Sequence, residues 1–330
     1  MTTRIQQSAI LLPLLLGLPN IGCILCNEEF PEACMENFNT CEGDKGAVLG
    51  QTQVELDLRK SVVRTREAPV GNLVADAFHY TANLVCQRNG VACPDAAFQN
   101  GGGIRSQTAC GERELIPIGA LYERDVNQML PFGNLLTVTE VSGWDLKLAL
   151  EHSVDELGLP GKAGQSGHFL QVSRLRFEVD CRQAPHAADS SETQITTPGA
   201  RIADGSLYIR TDDGSGPDEV WTPVDTTKPT LGNPGTLYRI ALSGFIGSGN
   251  DGFLAFVLRD QDEIAQPPGE PPYLNKIIKN LNGEEALRDD NDAQITDAMA
   301  VMKYIQAKKK VAPDIEYRIV ARNCVAGVDE

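Results

Sequence analysis

The chain has 330 residues, 42% hydrophobic and 22% charged, which excludes a disordered polypeptide and leaves length for one large domain or two ordinary ones. Its formal net charge of −16 lacks the basic footprint that nucleic-acid binding needs, so an anionic ligand would require a local cluster of arginines.

Residues 1–22 carry Arg4, an apolar run from Ala9 to Leu18 and small residues before Cys23. This is the pattern of a secretory signal and is shorter than a membrane span, which takes about 20 apolar residues. Gly22-Cys23 resembles the end of a bacterial lipoprotein signal, with Asn20 where that pattern prefers leucine, so Cys23 is a candidate lipidation site. The expected location is periplasmic, cell-surface or extracellular. With Cys23 set aside, Cys26, Cys34, Cys41, Cys86, Cys93, Cys110, Cys181 and Cys324 suffice for four disulfides in an oxidising compartment, their pairing left open. No cysteine pair has the partners of a zinc site. Residues 23–46 read as a Cys-rich tether, 47–324 as the folded domain and 325–330 as a tail.

Within the domain, alternation over Gln53–Leu58 predicts an edge strand. Pro69 opens a helix whose buried face runs through Leu73, Val74, Ala77, Phe78, Thr81, Leu84 and Val85, with Asp76 and His79 on the solvated side. Ala96-Ala97-Phe98 then runs into Asn100-Gly101-Gly102-Gly103-Ile104-Arg105. Three glycines permit a sharp turn whose N–H groups can meet a ligand, Asn100 offers an amide for a base edge, and Arg105 offers a planar fork for phosphate or sugar oxygens. The plainer reading is a strand followed by a glycine turn.

Residues 110–123 read as turns. Pro131-Phe132-Gly133 holds an aromatic in a rigid turn, as a stacking platform or as a plug into the core. Leu135–Val141 alternates as a strand, and Ser142 caps a helix with Asp145 three residues on and Leu146, Ala149, Leu150, Val154 and Leu157 inward, stopped by Pro160-Gly161. Phe169–Asp180 contains a strand with Leu175, Phe177 and Val179 opposite Arg174, Arg176 and Glu178. Residues 182–235 read as surface hairpin and loops around Ser206–Arg210 and Glu219–Trp221. Leu237–Ser243 is a strand feeding a second glycine-rich loop, Gly244–Phe253, which carries Phe245 and Asp251. Residues 267–272 form a stiff Pro-rich connector. Ile295 to Ile305 marks a final amphipathic helix, with Lys308-Lys309-Lys310 complementing its dipole, Pro313 ending it, and a strand over 316–321 before Cys324.

Phe132 and Phe245, on separate loops, can sandwich a flat base, with stacking worth about 1–3 kcal/mol per base. Asp251 can accept the hydroxyls of a ribose, and Arg64 with Arg105 can hold the phosphate side. These parts are those of a nucleotide pocket.

From about Val48 to Val320 the chain resembles the C-terminal domain of the secreted 5'-nucleotidase family, which includes bacterial UDP-sugar hydrolases and animal ecto-5'-nucleotidases. The matching blocks are Arg64-Thr65-Arg66-Glu67 with Gly71 to Ala77, Asn100 to Arg105, Leu130 to Asn134, Glu151-His152-Ser153-Val154, Phe169 to Ser173, and Phe245 to Phe253. The resemblance implies an α/β fold of mixed sheets with packed helices. It also implies a substrate site in which Phe132 and Phe245 stack the base, Asn100 bonds it, Asp251 binds ribose, and Arg64 and Arg105 hold the sugar and phosphate side, with Gly102 in the close-approach loop. Two positions depart from the family pattern: Gly244 precedes Phe245 and Asn250 precedes Asp251, where the family usually has Asn and Gly. Asn tolerates left-handed backbone better than most residues, so the loop should survive.

Hydrolysis in the family belongs to an N-terminal domain with two metal ions held in Asp-x-His, Gly-Asn-His-Glu and Gly-His-x-His patterns. His79, His152, His168 and His186 fit none of these. No catalytic residue, metal ligand or cofactor is therefore expected in this chain, and divalent metals enter only if a metallophosphatase partner supplies the centre. The leading expectation is a nucleotide-binding or nucleoside-binding unit that completes a hydrolase with a separate metallophosphatase chain, or captures nucleotides without cutting them. An autonomous phosphohydrolase and a non-catalytic surface protein retaining the fold are the alternatives.

Overall fold

A five-stranded mixed sheet orders the domain, in the spatial sequence Lys276–Ile278, Leu136–Ser142, Leu237–Ser243, Ala96–Asn100 and Leu170–Ser173. The computed structural model describes residues 45–108, 111–159, 166–190, 194–212, 218–230, 233, 235–256, 276–278 and 286–324. The expected signal, Cys23, most of the tether with Cys26, Cys34 and Cys41, Cys110, Pro160-Gly161, the 267–272 connector and the 325–330 tail lie outside the described residues.

Successive strand residues point to opposite faces, and the sheet uses both. Ala97, Leu136, Val138 and Ala241 face a core shared with the long helix Pro69–Asn89 and the final helix Asp297–Lys308. Ala96, Phe98, Val141, Ile240 and Leu242 face a second core. That core is shared with the helix Gly143–Ser153 and a four-stranded sheet ordered Trp221–Pro223, Tyr208–Arg210, Leu175–Asp180 and Ile319–Arg322. A three-stranded sheet of Lys310–Val311, Val48–Thr52 and Gly119–Tyr122 covers the edge of the first core.

Local chemistry explains the boundaries. Pro69 occupies the first turn of the long helix, where its missing N–H costs nothing, and Gly90 ends it in the left-handed region at φ 67°. Ser142 caps the next helix by accepting from the Asp145 N–H at 3.1 Å, as its spacing predicts. Thr296 caps the final helix through the Met299 N–H.

Several expectations shift. No edge strand covers Gln53–Leu58: the Thr52 hydroxyl bonds to the backbone of Val54 and turns the chain there, leaving only Leu56-Asp57 extended, while the strand before it, Val48–Thr52, is the middle one of its three-stranded sheet. Leu84 is exposed on the long helix while Val85 and Cys86 turn inward. Asp76 is no idle surface group: it takes both guanidinium nitrogens of the buried Arg318, at 2.8 and 2.9 Å. Phe169–Asp180 splits into two strands of different sheets at Arg174, whose φ is 60°. Residues 111–122 include three short strands as well as turns. The final helix ends at Lys308 ahead of Pro313, with Lys309 at φ 62° and Lys310 already in a strand.

Two disulfides, Cys86–Cys93 and Cys181–Cys324, lie among the described residues. The second ties the strand Leu175–Asp180 to the strand Ile319–Arg322 beside it. No described helix is long and apolar enough to cross a membrane.

Candidate functional site

Strand direction brings the predicted residues to one end of the central sheet. Leu136–Ser142 and Leu237–Ser243 are antiparallel, with Leu136 opposite Ser243, so the turn before the first and the segment after the second emerge together. Phe132 sits in that turn and Phe245 in the one-turn helix Gly244–Gly247 that directly follows the second strand where the sequence predicts a loop, the two joined by a bond from Gly244 N–H to Leu135 C=O at 2.7 Å. Ala96–Asn100 runs parallel to Leu237–Ser243, which carries Asn100 to the same end. Both rings are solvent-accessible, Phe132 at 41% and Phe245 at 39%, so neither is a plug.

Each part is held from behind. Asn134 accepts the Asp297 N–H at 2.7 Å and donates its amide to the Asp297 carboxylate at 3.3 Å, fastening the Phe132 turn to the final helix. Arg105 N–H bonds to Met129 C=O at 3.0 Å, and the Arg105 guanidinium stands 4.8 Å over the Phe132 ring. Arg64 follows the short helix Lys60–Val63 and packs on Gly101, where an added Cβ would fall 2.3 Å from Val63 C=O and 3.1 Å from the Arg64 stem. Burial pulls the Arg64 guanidinium below its usual range, the charge of Arg105 adds to this, and Asp251 opposes it. Its buried Nε has no hydrogen-bond partner.

The triple glycine works differently from the expectation. None of Gly101, Gly102 and Gly103 has a positive φ, and the Gly101 and Gly102 N–H groups are committed to Phe169 C=O and Gly167 C=O, each at 2.7 Å. Gly102 therefore offers no free donor to a ligand. What these glycines supply is closeness: a Cβ on Gly103 would meet the Gln99 amide at 2.2 Å.

Asp251 reaches the site in left-handed backbone, φ 55° and ψ 26°, between Gly249 at φ 83° and Gly252 at φ 77°. The strained position is thus Asp251 itself, while Asn250 bonds its side-chain amide to Phe245 C=O at 3.0 Å. Asp251 accepts the Asn100 amide at 2.7 Å.

The fold also assembles a group that sequence reasoning missed. At the end of the helix Gly143–Ser153, His152 Nδ1 lies 3.0 Å from Asp155 Oδ2, and His168 Nε2 lies 2.8 Å from Asp155 Oδ1. The two imidazoles stack with centroids 4.2 Å apart. The buried His186 places Nδ1 3.9 Å from Asp155 Oδ2. These residues, with Asp251 and Gly252, bound a cavity of about 480 Å³. Of the predicted residues only Asp251 is in its wall, so the cavity adjoins the stacking end rather than lying between the phenylalanines. Burial raises the Asp155 carboxyl, yet hydrogen bonds with His152 and His168 outweigh it and hold the group well below the usual range. Burial lowers His186 to about 4, helped by the neighbouring His152, so it is neutral at pH 7. The three-residue spacing of His152 and Asp155 was legible as one helical face; His168 and His186 come from separate loops.

The family model for the 5'-nucleotidase C-terminal domain matches residues 48–258, and the chain belongs to that family. It is 31% identical over 232 residues to the trifunctional nucleotide phosphoesterase protein YfkN of Bacillus subtilis (strain 168), covering 69% of this chain and 13% of that protein. It is 27% identical to the 5'-nucleotidase of Homo sapiens, covering 86% of this chain and 38% of that one. Among solved structures, the 5'-nucleotidase precursor of Thermus thermophilus superposes with a TM-score of 0.57 at 25% identity, covering 88% of this chain and 42% of that chain. The chain thus spans less than half the length of these relatives, and its fold is that of the C-terminal part of a 5'-nucleotidase.

Proposed function

We propose that the domain binds a nucleotide or nucleoside at the end of the central sheet and contributes this binding to nucleotide breakdown outside the cytoplasm. The observation that carries the reading is the convergence, from four separate chain segments, of two accessible phenylalanines with Asn100, Asp251, Arg64 and Arg105. The base would stack on Phe132 and Phe245, the ribose hydroxyls would reach Asp251, and the two guanidinium groups would offset the charge of a phosphate within a chain of net charge −16. Disulfide formation by Cys86 with Cys93 and by Cys181 with Cys324 supports an exported protein.

The relatives' names join nucleotides to phosphoester chemistry, and the family's two-ion centre needs a dense set of ligands around paired ions about 3.5–4 Å apart. Among the described residues the grouped donors His152, Asp155 and His168 include a single carboxylate and do not fit that centre. The hydrolytic step is accordingly assigned to a metallophosphatase unit acting with this domain, and a lipid anchor on Cys23 would keep the domain at the membrane surface. Titration with AMP, UMP and adenosine by calorimetry, with phosphate release measured on the same sample in the presence and absence of Mn or Zn, tests the reading. Saturable binding without phosphate release is expected. No binding of any of the three would overturn it, and metal-dependent release would move the domain to the autonomous hydrolase class.

A further inference from the structure

We propose that His152, Asp155 and His168, backed by His186, form a binding site for one divalent transition-metal ion of the zinc type beside the nucleotide cleft. One ligand atom from each of the first three residues can be chosen so that all lie within 4.8 Å of one another. In a tetrahedral zinc site, bonds of about 2.1 Å put ligand atoms roughly 3.4 Å apart, so modest rotation of these side chains closes the site.

The hydrogen bonding orients His152 as a metal-binding imidazole is oriented. His152 Nε2 lies 2.8 Å from Asp251 C=O, which only accepts, so Nε2 carries a proton. In a neutral imidazole this leaves the Nδ1 lone pair facing Asp155 Oδ2 at 3.0 Å. An imidazole that donates one N–H to a backbone carbonyl and offers the other nitrogen to a carboxylate-bearing site is the arrangement used to orient metal-bound histidines.

His186 supplies the independent observation. It is only 6% exposed, its buried Nδ1 has no hydrogen-bond partner, and that nitrogen points at Asp155 Oδ2 from 3.9 Å. A lone imidazole nitrogen left unpaired in the interior costs free energy that a metal bond would recover. Two imidazoles and one carboxylate, with the third imidazole of His186 alongside, favour zinc, cobalt or nickel over calcium or magnesium, which prefer all-oxygen shells. The adjoining cavity of about 480 Å³ leaves room for water or a ligand oxygen on the ion. The site stands independently of the nucleotide reading.

The test uses the full chain without a histidine tag, stripped with chelator and titrated with zinc or cobalt(II) against a chromophoric competitor. One equivalent is expected to bind. His168→Ala should weaken binding by at least about 100-fold, beyond the roughly 10–100-fold expected from losing an outer-shell partner. X-ray absorption on the zinc-loaded wild type should show a mixed shell with imidazole nitrogens, and this measurement stands alone if His168→Ala folds poorly by circular dichroism. Failure of the wild type to take up one equivalent, an all-oxygen first shell, or undiminished affinity in a folded His168→Ala would each overturn the proposal.

Discussion

Asn100 donates its side-chain amide to the Asp251 carboxylate across 2.7 Å, joining the end of a central strand to a glycine-rich segment 151 residues further along the chain. The bond holds a carboxylate carried on left-handed backbone, and it means that one hydrogen-bonding arm of Asn100 is already used to aim its neighbour. Asn100→Ala should therefore weaken nucleoside binding about tenfold, or about 1.4 kcal/mol, by freeing Asp251 as well as by losing the amide. Asn100→Asp should do worse, since two carboxylates would then face each other. Calorimetry with adenosine checks both, and unchanged affinity in Asn100→Ala would show that the pair does not serve the ligand.

Stacking makes a separate prediction. Phe245→Ala and Phe132→Ala should each lower affinity about 5- to 150-fold, the range corresponding to 1–3 kcal/mol of base stacking, while melting temperatures stay close to wild type because both rings are accessible. Phe245→Tyr should retain most of the affinity. Equal affinity of wild type and both alanine variants would remove the stacking site.

Asp297 gives the fold a pH dependence. Burial pushes its carboxyl up to about 7, against the opposing hydrogen bonds from the Ala298 N–H and from Asn134. Between pH 4 and 7 the folded chain therefore keeps a proton that the unfolded chain has lost. This contribution to stability is full below the ordinary carboxylate pKa and is lost as pH rises through the folded value. Asp297→Asn should melt higher relative to wild type at pH 8 than at pH 5, measured by thermal unfolding. A pH-independent difference between the two proteins would refute the assignment.

Arg318 anchors the C-terminal strand. Its guanidinium bonds to Asp76 and to Val172 C=O at 2.7 Å, and its N–H bonds to the buried Glu67 at 2.7 Å. Arg318→Met should destabilise the chain by about 3–5 kcal/mol, because it strips the pairing from Asp76 in a partly buried setting. Arg318→Met combined with Asp76→Asn should recover part of the loss in chemical denaturation. An additive double variant would show that the pair is not coupled.

Much of the scaffold was readable because it is encoded over a few residues. The Pro69 start, the Ser142 cap and the Leu237–Ser243 strand each depend on a neighbour within one turn or one alternation, and all three stand where the spacing puts them. The misplaced features involve distant partners. Whether residues 173–175 continue as one strand depends on Arg174, whose side chain bonds to Asp95 C=O and Arg210 C=O. Asp76 looked solvated only because Arg318, 242 residues away, is invisible to local periodicity.

By itself the sequence determined the two glycine-rich segments, the paired phenylalanines and membership of an α/β family, since these are properties of residue type and short spacing. Tertiary structure alone decided that Phe132 and Phe245 share an end of the sheet, that the Gly102 N–H is taken by Gly167 C=O, and that His152, Asp155, His168 and His186 meet. Strand direction and register create those encounters, and they are fixed by both cores packing at once rather than by any single stretch of chain.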